Sequence, residues 1–332
     1  LPRPEDIAAI AGEQEMLHEL ARDSRRLHFG NNAFVRGVVE ISNFCRENCH
    51  YCGMRRENRS LKRSRASVDE LADLLIHHRP SVITDINIQA GEDAVAARDI
   101  ALPLVRMLRM ETRLGISVSL GTLDRELYED LRTAGASVYI MKFEVANSRR
   151  YSELQAPGNL AERLDHIRWL AGSGWNVSSG FIVGLPGDTA ADWAQCCRLA
   201  AELPLRGCSV SPFIPGEATP LANAQPGNVD AALNCISVLR LVSPHWVIPA
   251  VSAFNLDPRG SGYLRSLNAG ANLVTINLTP ADIREDYLIY RRDRVIMDEE
   301  RVRAALDAAG LVPSQQGLVE FWNGRESVKA AA

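Results

Sequence analysis

Apolar residues recur along this chain in two alternating patterns. Short β-branched runs, in which every second side chain shares a face, are followed by longer stretches with helical spacing and helix stop signals. Strands are predicted over residues 34–42 (FVRGVVEIS), 82–89, 115–121, 137–143, 176–184, 208–213, 246–253 and 272–277. Helices are predicted over 67–78, 99–111, 124–135, 160–174, 189–203, 228–243 and near 258–270. Ser67 with Glu70 reads as a capping box, and Gly135 as a helix stop. Strands that alternate with helices imply parallel βαβ units, and eight of them suit a closed barrel. The fold expected is α/β, a (β/α)8 TIM-type barrel with N- and C-terminal helical caps. An open doubly wound sheet is the rival that periodicity leaves standing. The division expected is a helical cap over 1–30, the barrel over 31–290, and a helical segment and tail over 291–332.

Composition changes this picture little. The chain has 332 residues, 46% of them hydrophobic and 23% charged, enough for a large core. A net charge of −4 gives no reason to expect nucleic acid, and no polybasic run suggests a membrane surface. The longest apolar runs fall short of the roughly 20 residues a bilayer span needs. The beginning, LPRPEDIAAIAGEQEM, has acidic residues and no apolar core, so it does not read as a signal peptide. Seven cysteines, sparse and odd in number, point to a reducing, cytoplasmic setting.

Their distribution carries the chemistry. Cys45, Cys49 and Cys52 crowd one short segment directly after the first strand, on a loop that opens at the face where barrel active sites are built. Three thiolates in a CxxxCxxC run can hold three irons of a [4Fe–4S] cluster and leave the fourth open. Zinc, with His50 as a fourth ligand, is the alternative, and three unrelated buried cysteines the bland one.

CxxxCxxC with an aromatic, Tyr51, before the last cysteine resembles the radical S-adenosylmethionine (SAM) superfamily. EISNFCRENCHYCGMRREN, IQAGED, GFIVGLPGDT and PFIPGEATPLAN, with ISVLRLVSPHWVIPA and LRSLNAGANLVTINLTP, resemble the branch that contains the [FeFe]-hydrogenase maturase HydE, the methylornithine synthase PylB and biotin synthase. The resemblance implies one [4Fe–4S] cluster on Cys45, Cys49 and Cys52, with SAM chelating its open iron. One electron then cleaves SAM to methionine and a 5′-deoxyadenosyl radical. It further implies a small-molecule substrate and a reductant such as flavodoxin or ferredoxin.

By the same resemblance, Gly91 and Glu92 hold the SAM amino group. Ser119 bonds its ribose or carboxylate, and Glu144 its ribose hydroxyls or amino group. Arg163 pairs with the SAM carboxylate. Ile182 and Leu185 belong to a segment that packs on adenine, and Tyr51 and Lys142 complete the set. Ser119 also reads as an ordinary strand serine, and Arg163 as a solvated helix residue.

Several positions depart from the branch. No cysteine follows Cys235, which excludes a C-terminal accessory cluster, and only Cys208 lies on a predicted strand, which disfavours sulfur insertion as in biotin synthase. Cys196, Cys197 and Cys235 read as small buried residues. The maturase pattern Arg-His-Glu is Lys142-Phe143-Glu144 here. The polar positions with which the synthase grips its amino acid fall at Ser209, Val251 and Ala253. The substrate pocket expected is a polar barrel lining of Gln89, Ser178, Ser211, Ser252, Thr275 and Asn277, with Tyr287 and Tyr290 as lid residues. The function expected is radical chemistry on a small amino-acid-like metabolite, a rearrangement or fragmentation. Its rivals are a maturase acting on a metal-bound cysteine or small thiol, and an iron–sulfur scaffold or redox protein.

Overall fold

The strand with two charged side chains, β1 (Asn32–Ser42), is the hub of the molecule. A computed structural model, which describes residues 2–8 and 11–330, places six further parallel strands around it. These are β2 (Asp85–Ala90), β3 (Gly115–Ser119), β4 (Val138–Ile140), β5 (Asn176–Val183), β6 (Gly207–Pro212) and β7 (Leu273–Asn277). Their order is β6-β5-β4-β3-β2-β1-β7, the sequential winding of a barrel.

The eighth staves differ from expectation. Residues 246–253 form no ladder strand. Val247 is bridged to Gly207 on one side, and Pro249 to Leu273 on the other. Val247 N–H donates to the Arg206 carbonyl at 3.0 Å, and Ala250 N–H to the Leu273 carbonyl at 2.8 Å. Pro249 has no N–H to give, so the segment closes the ring through isolated bonds instead of a ladder. The segment then turns into a short 3-10 helix, Ser252–Leu256.

Helices cover the outside. Asp124, Asn159 and Asn228 cap helices Arg125–Ala134, Leu160–Gly172 and Val229–Val242 through bonds to the third N–H that follows. The two-sided capping box forms at Thr189 and Asp192, whereas Ser67 contributes one bond, from Glu70 N–H. Pro103 follows closely on a π-helical turn, Ala97–Ala101, that interrupts the regular hydrogen-bond ladder where the proline lacks a donor. The helical cap expected over 1–30 is observed as Pro4–Ile7 and Ala11–Phe29; residues 1, 9 and 10 lie outside the described residues. Near the other end, Glu299–Ala308 and Leu318–Ala330 are helical, the latter reaching into what reads in the sequence as a tail; residues 331 and 332 lie outside the described residues. Phe29, Phe34, Leu318 and Trp322 pack together with Val138, Val247 and Leu273 at the strands' N-terminal ends, and Leu318 N–H caps onto the buried Asp85. That plug closes the floor and leaves the opposite rim for chemistry.

No helix among the described residues is long and apolar enough to cross a membrane.

Candidate active site

Strand alternation builds the interior. Arg36, Val38 and Glu40 of β1, Asn87 and Gln89 of β2, Ser209 and Ser211 of β6, and Thr275 and Asn277 of β7 all face one cavity of about 240 Å³. The register aligns Glu40 with Gln89 and Gln89 with Ser119, so one level of the wall is polar across three strands. Six of the expected pocket residues line this cavity: Gln89, Ser178, Ser211, Ser252, Thr275 and Asn277. Ser119 and Lys142 line it too. Tyr287 does not. It is buried beside Met54, Leu61 and Leu288, because its loop turns it toward the cysteine segment. Tyr290 reaches the cavity instead, its hydroxyl 2.7 Å from that of Ser252. Ser209, Val251 and Ala253 are all on the wall, so the departures from the synthase pattern fall at the pocket itself.

The cysteine loop is fixed over the rim. Gly91 N–H donates to the Ser42 carbonyl at 3.1 Å and Arg46 N–H to the Glu92 carbonyl at 3.1 Å. Glu92 N–H points at Cys45 Sγ, 3.4 Å away. Only glycine fits at 91, since a Cβ there would stand 2.2 Å from the Phe44 carbonyl oxygen. At the far side Gly53 N–H donates to the Ile289 carbonyl at 3.2 Å.

The three thiols form an interacting set. Burial pushes Cys45 upward, and pushes Cys52 up to about 12, with Cys45 adding repulsion. Cys49 is raised well above its usual value by burial, then by Cys52 and Cys45. Among the described residues, no three His, Cys, Asp or Glu side chains are arranged to hold a single metal ion. His50 therefore adds no fourth ligand to a single-ion site. Thiolates on separate irons of one cluster need no such convergence.

Around the loop stand the rim charges. Glu92 is 8% exposed and lies 2.5 Å from Arg163 Nη1 and 3.1 Å from Arg46 Nη2. Arg163 also donates to Thr122 Oγ1 at 2.9 Å and to the Lys142 carbonyl at 2.9 Å. Burial works against its cation, but the Glu92 charge and hydrogen bond outweigh it and hold the guanidinium above its usual value. The structure thus joins Glu92 and Arg163 to each other.

Glu144 follows β4 with φ at 62°, a left-handed backbone that a non-glycine residue adopts only under constraint. The constraint is β5: Glu144 N–H donates to the Gly180 carbonyl and Ile182 N–H to the Glu144 carbonyl, both at 3.0 Å. Lys142 Nζ is 3.0 Å from Glu144 Oε2 but off the line of a hydrogen bond, so this buried oxygen has a charge partner and an unfilled lone pair. The Tyr51 hydroxyl is buried beside the Cys49 thiol. Leu185, 2% exposed, lies in the core just beyond β5.

Four interior residues escaped the sequence reading: Arg36, Glu40, Asn87 and Arg294. Arg294 forks onto both oxygens of Glu40 at 2.7 Å each. Asn87 Oδ1 has no partner, although its amide donates to Gln89 at 3.2 Å. Arg36 has only Thr275 Oγ1 at 3.5 Å, and its Nε has no partner. No carboxylate forms an ion pair with Arg36 among the described residues, Asp85 acting only through space, and burial holds its pKa down to about 10. A usable signal existed: Arg36 and Glu40 are inward-phase charges in an otherwise apolar strand.

A barrel with three cysteines on its first loop, an open rim and a polar interior defines the class: this chain belongs to the radical SAM superfamily and is a radical SAM enzyme, a class that uses a [4Fe–4S] cluster and SAM. Residues 39–200 match the profile described as "Radical SAM superfamily". Within it, the chain is 30% identical to the [FeFe] hydrogenase maturase subunit HydE of Thermotoga maritima over 325 residues, 96% of this chain and 90% of the relative. It is 28% identical to the 3-methylornithine synthase of Methanosarcina acetivorans over 314 residues, 93% of this chain and 88% of the relative. The crystal structure of methylornithine synthase (PylB) superposes with a TM-score of 0.82 at 25% identity, covering 96% of this chain and 94% of that one. Enzymes of this superfamily act on a small substrate and take an electron from an external donor.

Proposed function

We propose that this enzyme rearranges or fragments a small, carboxylate-bearing, amino-acid-like metabolite. The observation that carries the reading is Arg36, a half-buried guanidinium facing the cavity, with a buried Nε that has no hydrogen-bond partner and no carboxylate in an ion pair with it among the described residues. A buried charge without a partner is costly, and an anionic ligand offsets that cost. The unfilled Asn87 Oδ1 on the neighbouring strand suits the donor of such a ligand, an ammonium or hydroxyl. The volume of about 240 Å³ lies below that of drug-sized pockets and suits a small metabolite.

On this reading Cys45, Cys49 and Cys52 hold the cluster. Gly91, Glu92, Arg163 and Glu144 receive the charged end of SAM, Ser119 and Lys142 stand between SAM and substrate, and Ile182 and Leu185 support the adenine. The unfilled acceptor on Glu144 fits a ligand rich in polar groups. When bound, the cluster and SAM supply the radical. The residues of this chain orient the ligand, and the strap over 286–296 keeps water out: Asn43 holds the Asp286 carbonyl at 2.9 Å, and Arg294 anchors on Glu40. Val251 and Ala253 replace polar grips of the synthase, so lysine is a poor substrate here. The second reading, a maturase-like reaction on a metal-bound cysteine or small thiol, is favoured by the 30% identity to the hydrogenase maturase.

The test is a screen of small amino acids and amino thiols with reconstituted, dithionite-reduced protein. Release of 5′-deoxyadenosine is expected to rise with the right compound, and Arg36→Met is expected to abolish that stimulation while sparing the slow release without substrate. Equal stimulation in Arg36→Met would remove the carboxylate reading.

A further inference from the structure

Two arginines converge on one carboxylate at the rim. Glu92 Oε1 accepts from Arg163 and Oε2 from Arg46, so the trio holds one positive charge in excess. Its members come from three places: the cysteine loop, the turn after β2 and the helix Leu160–Gly172. A fourth segment, residues 121–123 beyond β3, touches all of them.

Thr122 bonds both arginines. Its hydroxyl accepts from Arg163 Nη1 at 2.9 Å, and its carbonyl from Arg46 Nη2 at 2.8 Å. Gly121 packs against Glu92 itself: its φ is 71°, and a Cβ there would stand 2.3 Å from Glu92 Cγ. The segment is pinned in turn. The Tyr139 hydroxyl donates to the Gly121 carbonyl at 2.7 Å, and Leu123 N–H donates to the Tyr128 hydroxyl at 2.9 Å. Both tyrosines are fully buried, their rings edge to face with centroids 5.0 Å apart. Half-buried Thr122 is therefore presented from a fixed base.

The two contacts of Thr122 differ in kind. The carbonyl that holds Arg46 belongs to the main chain, whereas the hydroxyl that holds Arg163 depends on the side chain. Arg163 has three partners: the Glu92 carboxylate, the Lys142 carbonyl and the Thr122 hydroxyl. When Glu92 turns to a ligand's ammonium, Arg163 loses the strongest of these, the charge-assisted one. The two neutral acceptors then keep the guanidinium in place. A hydroxyl orients a cation without neutralising it, so the charge stays available to an incoming carboxylate.

We propose that Thr122 is a positioning residue for SAM: its hydroxyl holds the Arg163 guanidinium in line for the SAM carboxylate while Glu92 passes to the SAM ammonium. The inference rests on the reading that Glu92 and Arg163 receive the charged end of SAM. Thr122 acts through Arg163 and needs no contact with SAM.

The test uses the full-length reconstituted enzyme and measures SAM affinity, together with KM for SAM and the maximal rate of dithionite-driven 5′-deoxyadenosine release. Thr122→Val keeps the shape and removes the hydroxyl. It is expected to weaken SAM binding and raise KM about tenfold, from the loss of a hydrogen bond to a charged group, with a far smaller change in maximal rate. Iron content and denaturation midpoint are expected to stay near native, and Thr122→Ser to restore SAM affinity. In an Arg163→Met background, Thr122→Val is expected to add nothing, because the residue it acts through is gone. The proposal is overturned if Thr122→Val binds SAM as the native chain does, if serine does not rescue, or if the valine effect persists undiminished in Arg163→Met. It is equally overturned if Thr122→Val fails to fold or to load iron, which makes Thr122 a structural residue. Native SAM affinity in Arg163→Met alone would instead strike the reading beneath it, so the two failures are distinguishable.

Discussion

On the rim, Glu92 lies 2.5 Å from Arg163 and 3.1 Å from Arg46, and Glu144 lies 3.0 Å from Lys142. In the interior, among the described residues, Arg36 has one hydroxyl at 3.5 Å and no ion pair, and Asn87 Oδ1 has no hydrogen-bond partner. The two regions prepare for ligands in different ways. A zwitterionic ligand at the rim meets charges that already neutralise each other, so binding there is an exchange of partners. On the proposed reading, a ligand in the interior meets a half-buried cation that Asp85 offsets only through space, and supplies the negative charge itself. On this reading the exchange costs little desolvation, because the rim charges are paired before and after, whereas the proposed interior site favours an anion.

The sharpest way to break the comparison is at the loop that the rim supports. Replacing Cys45, Cys49 and Cys52 together with alanine is expected to reduce iron after anaerobic reconstitution from about four per chain to none, by the stoichiometry of one cluster. Iron retained in the triple variant would move the cluster elsewhere.

Next in size is Glu92→Gln. Both members of the Glu92–Arg163 pair are buried, with side chains 7% and 6% exposed, so removing one charge strands the other. Stability is expected to fall by about 3–5 kcal/mol in chemical denaturation, together with weaker SAM binding. A stable variant with normal SAM affinity would mean that the rim does not depend on pairing.

Arg36→Met sharpens the contrast, because the same kind of change should act in the opposite direction in the interior. No ion pair is lost, so denaturation midpoints should hold or rise, while affinity for a stimulating carboxylate should weaken by about 1.5–3 kcal/mol. A large loss of stability would show that Asp85, acting through space, already serves as its partner.

The smallest effect concerns pH. Burial raises the thiols, with Cys52 at about 12, so the reactive thiolate is scarce at neutral pH in the metal-free chain. Alkylation of Cys52 by iodoacetamide should be slow near neutrality and accelerate as pH rises toward about 12. Iron must displace these protons, so cluster assembly should likewise be favoured by higher pH. Fast alkylation at neutral pH would contradict the burial of this thiol.

Much of the molecule was readable from local rules. Period-two runs located the seven strands, and helical spacing located the helices between them. The cysteine triplet was readable because all three ligands lie within one loop. Inward polar positions such as Gln89, Thr275 and Asn277 followed from alternation, a property of the strand alone. Tyr287 and residues 246–253 resisted for the opposite reason. A proline-bearing segment pairs according to what its neighbours offer, and a loop tyrosine turns according to what packs beneath it.

By itself, then, the sequence determined the parallel α/β winding, the loop with three thiols and the polar phase of each strand, because each depends on residues close together in the chain. The tertiary structure alone decided which charges are paired. Glu40 meets Arg294 across 254 positions, and Glu92 meets Arg163 across 71, while Arg36 is in no ion pair among the described residues. Coulombic pairing depends on distance in space and on burial, and neither is fixed until the barrel has closed.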